Sequence, residues 1–157
     1  MATIPRASVV PAPSPAQVVK LYTHYTALKL FRVSVGVGLT ANLLFVLPAV
    51  FAPRLLESLA PFGVSNTLHW LQNVGVLLAI VTAMYVPVMM DPFRYLFISI
   101  LVVAGRFAAG MLFLTGLLFM DYPPGFRTLA GTDLVLSSLQ ALLLYRLLLD
   151  GDPRAGF

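Results

Sequence analysis

The stretch His69-Trp70-Leu71-Gln72-Asn73-Val74-Gly75 opens a run of apolar residues that continues to about Val88. Gln72 and Asn73 follow His69 by three and four positions, so on a helix the three polar residues share one face. Small residues continue this stripe at intervals of four: Gly75, Ala79 and Ala83. Small residues at this spacing let a second helix approach closely. The stretch therefore predicts a membrane-crossing helix with a packing face and with polar groups near its start.

The composition supports a membrane protein. Of the 157 residues, 59% are hydrophobic and 10% are charged, whereas a soluble domain carries about 25% charged residues. The chain has no cysteine, which excludes disulfides, thiolate catalysis, zinc–cysteine sites and cysteine-ligated iron–sulfur clusters. The net charge is +4. In a membrane protein an excess of Lys and Arg reports the orientation of the spans rather than a nucleic-acid-binding surface, so no nucleic-acid partner is expected.

Four segments are predicted to span the membrane, at about residues 29–52, 67–88, 94–120 and 129–149. Each has roughly 20 or more residues, enough for a hydrocarbon core of about 30 Å. Ser65-Asn66-Thr67 can cap the second span, and Asp91 with Pro92 can start the third. The expected fold class is all-α, an integral membrane four-helix bundle over residues 29–149.

Two further helices are expected outside the spans. A proline-rich arm over residues 1–13 precedes Ser14, Pro15 and Gln17, which have the pattern of a capping box. This pattern predicts an N-terminal interfacial helix over residues 15–28, so that 1–28 form an arm ahead of the bundle. Residues 53–63 predict a short periplasmic surface helix that ends at Pro61 and Gly63, and residues 150–157 predict a polar tail.

The basic residues predict the orientation. Seven would lie on one side, namely Arg6, Lys20, Lys29, Arg32, Arg94, Arg146 and Arg154, and two on the other, Arg54 and Arg127. Because cytoplasmic loops carry an excess of Lys and Arg, both termini are expected in the cytoplasm. The predicted location is a bacterial inner membrane, with membrane lipids and other membrane subunits as partners.

Two ionisable residues fall inside predicted spans, Arg106 and Asp133, and such residues are functional hypotheses by default. Their backbone depths should differ by roughly 10–15 Å at the helical rise, so a direct ion pair would need helix tilt or a water bridge. A polar network is expected in the outer half of the bundle: Asn42, His69, Gln72, Asn73, Arg106, Asp133 and Gln140. Two interpretations stay open. The first is a structural network, favoured for Asn42 and Gln140. The second is a ligand site formed by His69, Gln72, Asn73, Arg106 and Asp133.

Catalytic and metal sites are not indicated. His24 and His69 fall at opposite membrane faces, separated by about 30 Å, so they cannot hold one haem iron, and no metal site is expected. There is no phosphate-binding glycine loop, no Ser–His–Asp pattern and no carboxylate pair, so no catalytic activity is expected. Aromatic residues mostly near span ends are expected to anchor the protein at the membrane interfaces: Trp70, Tyr85, Tyr95, Tyr122 and Tyr145.

Six short motifs are spread along the predicted bundle: Leu-Ala-Pro-Phe-Gly at 59–63, Trp70-Leu71-Gln72 with Gly75, Tyr85, Asp91-Pro92-Phe93-Arg94, Gly105-Arg106, and Asp133. Together these motifs resemble those of the small four-helix bacterial membrane proteins called DoxX-like. The resemblance covers about residues 29–149 and implies a quinone-adjacent or accessory role in electron transfer. The arm over residues 1–28 lies outside it.

Three functions remain open from the sequence. The leading hypothesis is a non-catalytic accessory subunit of a larger inner-membrane complex, respiratory or otherwise electron-transferring. The first alternative is a redox subunit that binds quinone or lipid, with His69, Gln72 and Asn73 bonding a carbonyl or hydroxyl. The second alternative is a small transporter, which is disfavoured because four spans leave a narrow pore and Pro48 is the only helix break indicated.

Overall fold

The computed structural model describes residues 14–59, 62 and 68–151. These residues contain six helices: α1 (Pro15–Phe51), α2 (Pro53–Leu59), α3 (Leu68–Ala83), α4 (Tyr85–Met90), α5 (Leu96–Phe119) and α6 (Phe126–Asp150). Four segments are long and apolar enough to cross a membrane: Gln17–Phe51, His69–Met90, Leu96–Phe119 and Phe126–Asp150. The predicted fold class, an all-α protein with four helical segments that are long and apolar enough to span a membrane, is confirmed.

Helix α1 begins where the capping box predicts. The Ser14 amide donates to Gln17 Oε1 at 2.7 Å, and the Gln17 amide donates to Ser14 Oγ at 3.4 Å. The helix then continues without a break to Phe51, so the expected interfacial helix and first span form one element. The residues around the expected boundary at residue 28 explain this, because Ala, Leu and Lys are all strong helix formers.

The second span is broken, which the sequence analysis did not anticipate. Helix α3 ends at Ala83 and α4 begins at Tyr85. Pro87 has no N–H to donate to the Ala83 carbonyl, which interrupts the helical ladder. The Met84 amide instead donates to the Val81 carbonyl at 3.1 Å in a tighter turn. The break lies within a segment that is long and apolar enough to span a membrane. The backbone of Met84 stays in the right-handed helical region, with φ −68° and ψ −17°.

The third span begins later than expected. Asp91 Oδ1 accepts hydrogen bonds from the amides of Phe93 (3.2 Å) and Arg94 (3.1 Å), so Asp91 caps a turn as its position suggests. The regular helix α5 starts only at Leu96. Helix α6 starts at Phe126, three residues before the predicted span.

Helix α1 lies at the centre of the packing. It packs against α3, α4 and α6, and α5 packs mainly against α6. Within the described residues, α3 makes no comparable packing with α5 or α6. The hydrophobic core lies where the middle of α1 meets α4, the first half of α5 and the end of α6, and it includes Phe31, Val35, Val88, Val102 and Leu147.

Glycines mark the close helix contacts. A Cβ at Gly75 would lie 2.9 Å from both the Cβ of Ala49 and the Cγ2 of Val50, so α3 approaches α1 at this glycine. A Cβ at Gly110 would lie 2.9 Å from Cγ of Leu134, which marks the α5–α6 contact. Of the stripe predicted to pack against a second helix, Gly75 is confirmed and Ala79 is half-buried, whereas Ala83 is exposed and does not belong to the packing face.

Some sequence expectations fall outside the described residues. These are the proline-rich arm over residues 1–13, the caps Ser65-Asn66-Thr67, the end of the surface helix at Pro61 and Gly63, and the tail over residues 152–157. The surface helix itself is present as α2.

Candidate functional site: a buried arginine cluster

Arg106 lies near the middle of α5 and is 5% exposed. Its Nε donates to Tyr85 Oη at 3.0 Å. Its Nη2 donates to the Gly38 carbonyl at 3.1 Å and to Asn42 Oδ1 at 2.8 Å. Charged side chains in a bilayer are stable only when such partners replace water. The guanidinium therefore joins α5 to α1 and α4 through three hydrogen bonds.

Asp133 on α6 supplies the countercharge. Its Oδ1 lies 3.2 Å from Arg106 Nη1, which is ion-pair distance, although Nη1 makes no aligned hydrogen bond. The direct contact corrects the expectation that helix tilt or a water bridge would be needed. The Gly110–Leu134 contact places the two backbones only about five residues apart in depth, roughly 7 Å. The long arginine side chain covers that difference.

Asn42 extends the cluster to α3. Its Nδ2 donates to Thr82 Oγ1 at 3.1 Å, and Thr82 Oγ1 donates to the Leu78 carbonyl at 2.6 Å. Asn42 thus uses its amide oxygen for Arg106 and its amide nitrogen for Thr82. The cluster formed by Asn42, Thr82, Tyr85, Arg106 and Asp133 connects all four spans.

Gly38 makes room for the guanidinium. A Cβ at this position would lie 3.2 Å from both Cζ and Nη2 of Arg106, closer than ordinary van der Waals contact. The missing side chain also lets the Gly38 carbonyl serve as an acceptor. On another side, the Arg106 Cζ lies 5.3 Å from the Tyr85 ring centroid, a favourable cation–π distance.

Gln140 lies beside the cluster but is not hydrogen-bonded to it. The residue is fully buried, and its Nε2 donates to the Ser34 carbonyl at 3.0 Å. Its Oε1 is buried without a hydrogen-bond partner among the described residues. Gln140 therefore joins α6 to α1 one turn away from Arg106, a helix-to-helix contact of the kind predicted for it.

The polar residues at the start of α3 do not reach Arg106. His69 and Asn73 are exposed, and Gln72 Nε2 donates to the Val50 carbonyl at 3.2 Å. The main cause is depth, because α3 joins the cluster at Thr82 and Asn73 precedes Thr82 by nine residues, roughly 13 Å along the helix. Direction adds to this, because residues two apart on a helix point about 160° away from each other. When Gly75 faces α1, Asn73 must face outward. The structure thus separates the seven residues expected to form one network.

Tyr85 was expected to anchor the protein at the membrane interface, and this was wrong. It is 3% exposed and accepts a hydrogen bond from Arg106. Trp70, by contrast, is 62% exposed. One sequence signal was available, since Thr82 and Tyr85 lie three residues apart and therefore share a helix face. The acceptor role of the Gly38 backbone carbonyl had no such signal.

The histidines lie apart. His24 is buried and stacks on Phe93 with ring centroids 5.8 Å apart, while His69 is exposed at the start of α3. In the part of the chain that the structure describes, no group of three or more His, Cys, Asp or Glu residues is arranged to hold a metal ion.

No protein-family model, curated protein or solved structure matches this chain. The class of protein therefore rests on the fold and the cluster: a helical protein with four candidate spans, in which one buried guanidinium connects all of them.

Proposed function

We propose that this chain is a non-catalytic accessory subunit of a larger complex in a bacterial inner membrane. The observation that carries the proposal is the use made of Arg106, whose Nε and Nη2 donate to acceptors of the chain itself. Its Nη1 faces Asp133. Three of its N–H groups and its positive charge are thus engaged by groups of the bundle itself, so the cluster is suited to fixing the four spans.

The packing of α3 indicates where a partner subunit would bind. Among the other long helices, α3 packs extensively only on α1. Its outer face exposes large apolar side chains, including Trp70, Leu77 and Ile80. In a bilayer, helices associate through packing and interhelical hydrogen bonds rather than through the hydrophobic effect. The exposed imidazole of His69 and amide of Asn73 on this helix would supply such bonds.

The nature of the complex follows from the DoxX-like resemblance, which supports a respiratory or other electron-transferring assembly. The orientation with both termini in the cytoplasm follows from the distribution of basic residues. The quinone-binding alternative has less support, because its ligand residues lie in two separate places, with His69 and Asn73 exposed and Arg106 buried.

The test is purification from native membranes in a mild detergent, with the chain tagged and expressed at its native level. The proposal expects stoichiometric partner subunits. Replacing Leu77 and Ile80 with alanine on α3 should release those partners. Replacing Leu101 and Leu112, which are similarly exposed on α5, is the matched control and should leave the complex intact. Recovery of the chain as a stable lone monomer would contradict the proposal.

A further inference from the structure

An apolar groove of about 300 Å³ lies between α1 and α6. Its walls include Leu30 and Val33 from α1 and Leu136 and Leu139 from α6, with the buried Ser34 among its lining residues. The groove belongs to two membrane-spanning segments, so the hydrocarbon of the bilayer is the medium that reaches it. Its mainly apolar lining suits an acyl chain.

The register of the two helices places two basic residues at one end of the groove. The hydrogen bond from Gln140 to the Ser34 carbonyl aligns the antiparallel helices, so that Lys29 lies opposite Tyr145 and within one residue of Arg146 in depth. Lys29 precedes Val33 by four residues, and Arg146 follows Leu139 by seven. Each basic residue therefore extends a helix ridge that forms a groove wall.

Both basic side chains are placed to bind an anion. Lys29 and Arg146 are exposed, and neither forms an ion pair with a residue in the described part of the chain. Asp150 follows Arg146 by four residues, one turn farther out, and is exposed without an ion pair in the described part of the chain. Basic pockets between transmembrane helices on the cytoplasmic side are typical sites for anionic lipid head groups.

We infer that the α1–α6 groove binds one anionic phospholipid, with an acyl chain along the groove and the phosphate between Lys29 and Arg146. The paired positive charges favour this occupant over a second copy of the chain, because a copy would bring its own Lys29 and Arg146 to the same place. The inference is independent of the proposed accessory role, since a lipid site can exist in a subunit of any complex or in a monomer.

The experiment measures which lipids stay bound after the protein is reconstituted with equal amounts of phosphatidylglycerol and phosphatidylcholine. Native mass spectrometry of the released protein counts each lipid. The wild type should retain phosphatidylglycerol preferentially. The double variant K29Q/R146Q should lower the relative affinity for phosphatidylglycerol by about 20- to 30-fold. Each basic residue near an anionic membrane surface contributes a factor of about five, and the variant removes two.

The matched control is K20Q/R127Q, which removes the same charge from exposed positions of the same two helices, away from the groove. It should keep the wild-type preference. The acyl-chain part of the site is tested by Leu139→Trp, which fills the groove and should lower retention of both lipids. Leu112→Trp at an exposed position of α5 should not change retention.

Three results would overturn the inference. The first is equal retention of the two lipids by the wild type. The second is an equal loss of preference in both charge variants, which would indicate general surface attraction. The third is a lipid-free dimer whose formation is blocked by Leu139→Trp, which would assign the groove to a second copy. Because Lys29 and Arg146 are exposed, their substitution should leave the fold intact, and unchanged elution in gel filtration checks this.

Discussion

Around Arg106 the polar side chains are enclosed by four spans, whereas at the start of α3 His69 and Asn73 are exposed. Both regions have polar residues inside predicted spans, and from the sequence alone they are expected to form one network. What separates them is their depth, since Asn73 lies roughly 13 Å along α3 from Thr82, and the face that α3 turns toward α1. Residue type can be deduced from a sequence, but the relative depth of residues on two helices, and the face that each helix buries, depend on how the helices pack.

The largest effect should come from removing the countercharge of the enclosed cluster. Asp133→Leu leaves the Arg106 guanidinium buried without a carboxylate, which should lower the free energy of unfolding by about 3 kcal/mol. The measurement is equilibrium unfolding in mixed micelles. Thr132→Val, at the exposed neighbouring position, is the control and should change it by less than about 0.5 kcal/mol. Equal effects would mean that the ion pair has no energetic role.

A smaller effect should come from the contact that turns α3 toward α1. Gly75→Val places a side chain against Ala49 and Val50, and overpacking of this kind costs about 1–3 kcal/mol. Gly105→Val is matched in helix propensity but has open space around its Cβ. Unfolding of the two variants should therefore differ by at least about 1 kcal/mol. If both variants are equally stable, α3 does not approach α1 at Gly75.

Removing one hydroxyl should have a still smaller effect. Tyr85→Phe removes the acceptor of the Arg106 Nε bond and should cost about 1 kcal/mol. Tyr145→Phe removes a hydroxyl from an exposed ring and should have no measurable effect on unfolding. Equal stability of the two variants would place Tyr85 outside the cluster.

The smallest effects are expected at the start of α3. His69→Ala and Asn73→Ala change exposed side chains and should alter the isolated protein's stability by less than about 0.5 kcal/mol. Gln72→Ala removes the bond to the Val50 carbonyl and should cost about 0.6 kcal/mol. A loss of several kcal/mol at His69 or Asn73 would show that this region is enclosed as well.

The sequence was sufficient for the parts of the fold that depend on local composition. The four spans follow from hydropathy and length, and the start of α1 follows from Ser14 and Gln17. Arg106, Asp133 and Asn42 were also identified, because ionised and amide groups inside a bilayer need partners there.

The remaining features depend on tertiary structure. The break at Met84 arises from Pro87, but proline in a span can be tolerated without a break, as Pro48 inside α1 shows. The pairing of Arg106 with Tyr85 depends on how α4 packs on α5, and the acceptor at Gly38 is a backbone group with no side-chain signal. The outward direction of Asn73 depends on Gly75 facing α1.

The central claim is that Arg106 acts with Asp133 inside the bundle and not with the polar residues that begin α3. The most direct test is a pair of double-mutant cycles built on Arg106→Met, one with Asp133→Leu and one with His69→Ala. We expect a coupling free energy of at least about 1 kcal/mol with Asp133 and a value within about 0.5 kcal/mol of zero with His69. Equal couplings, or a larger one with His69, would contradict the account.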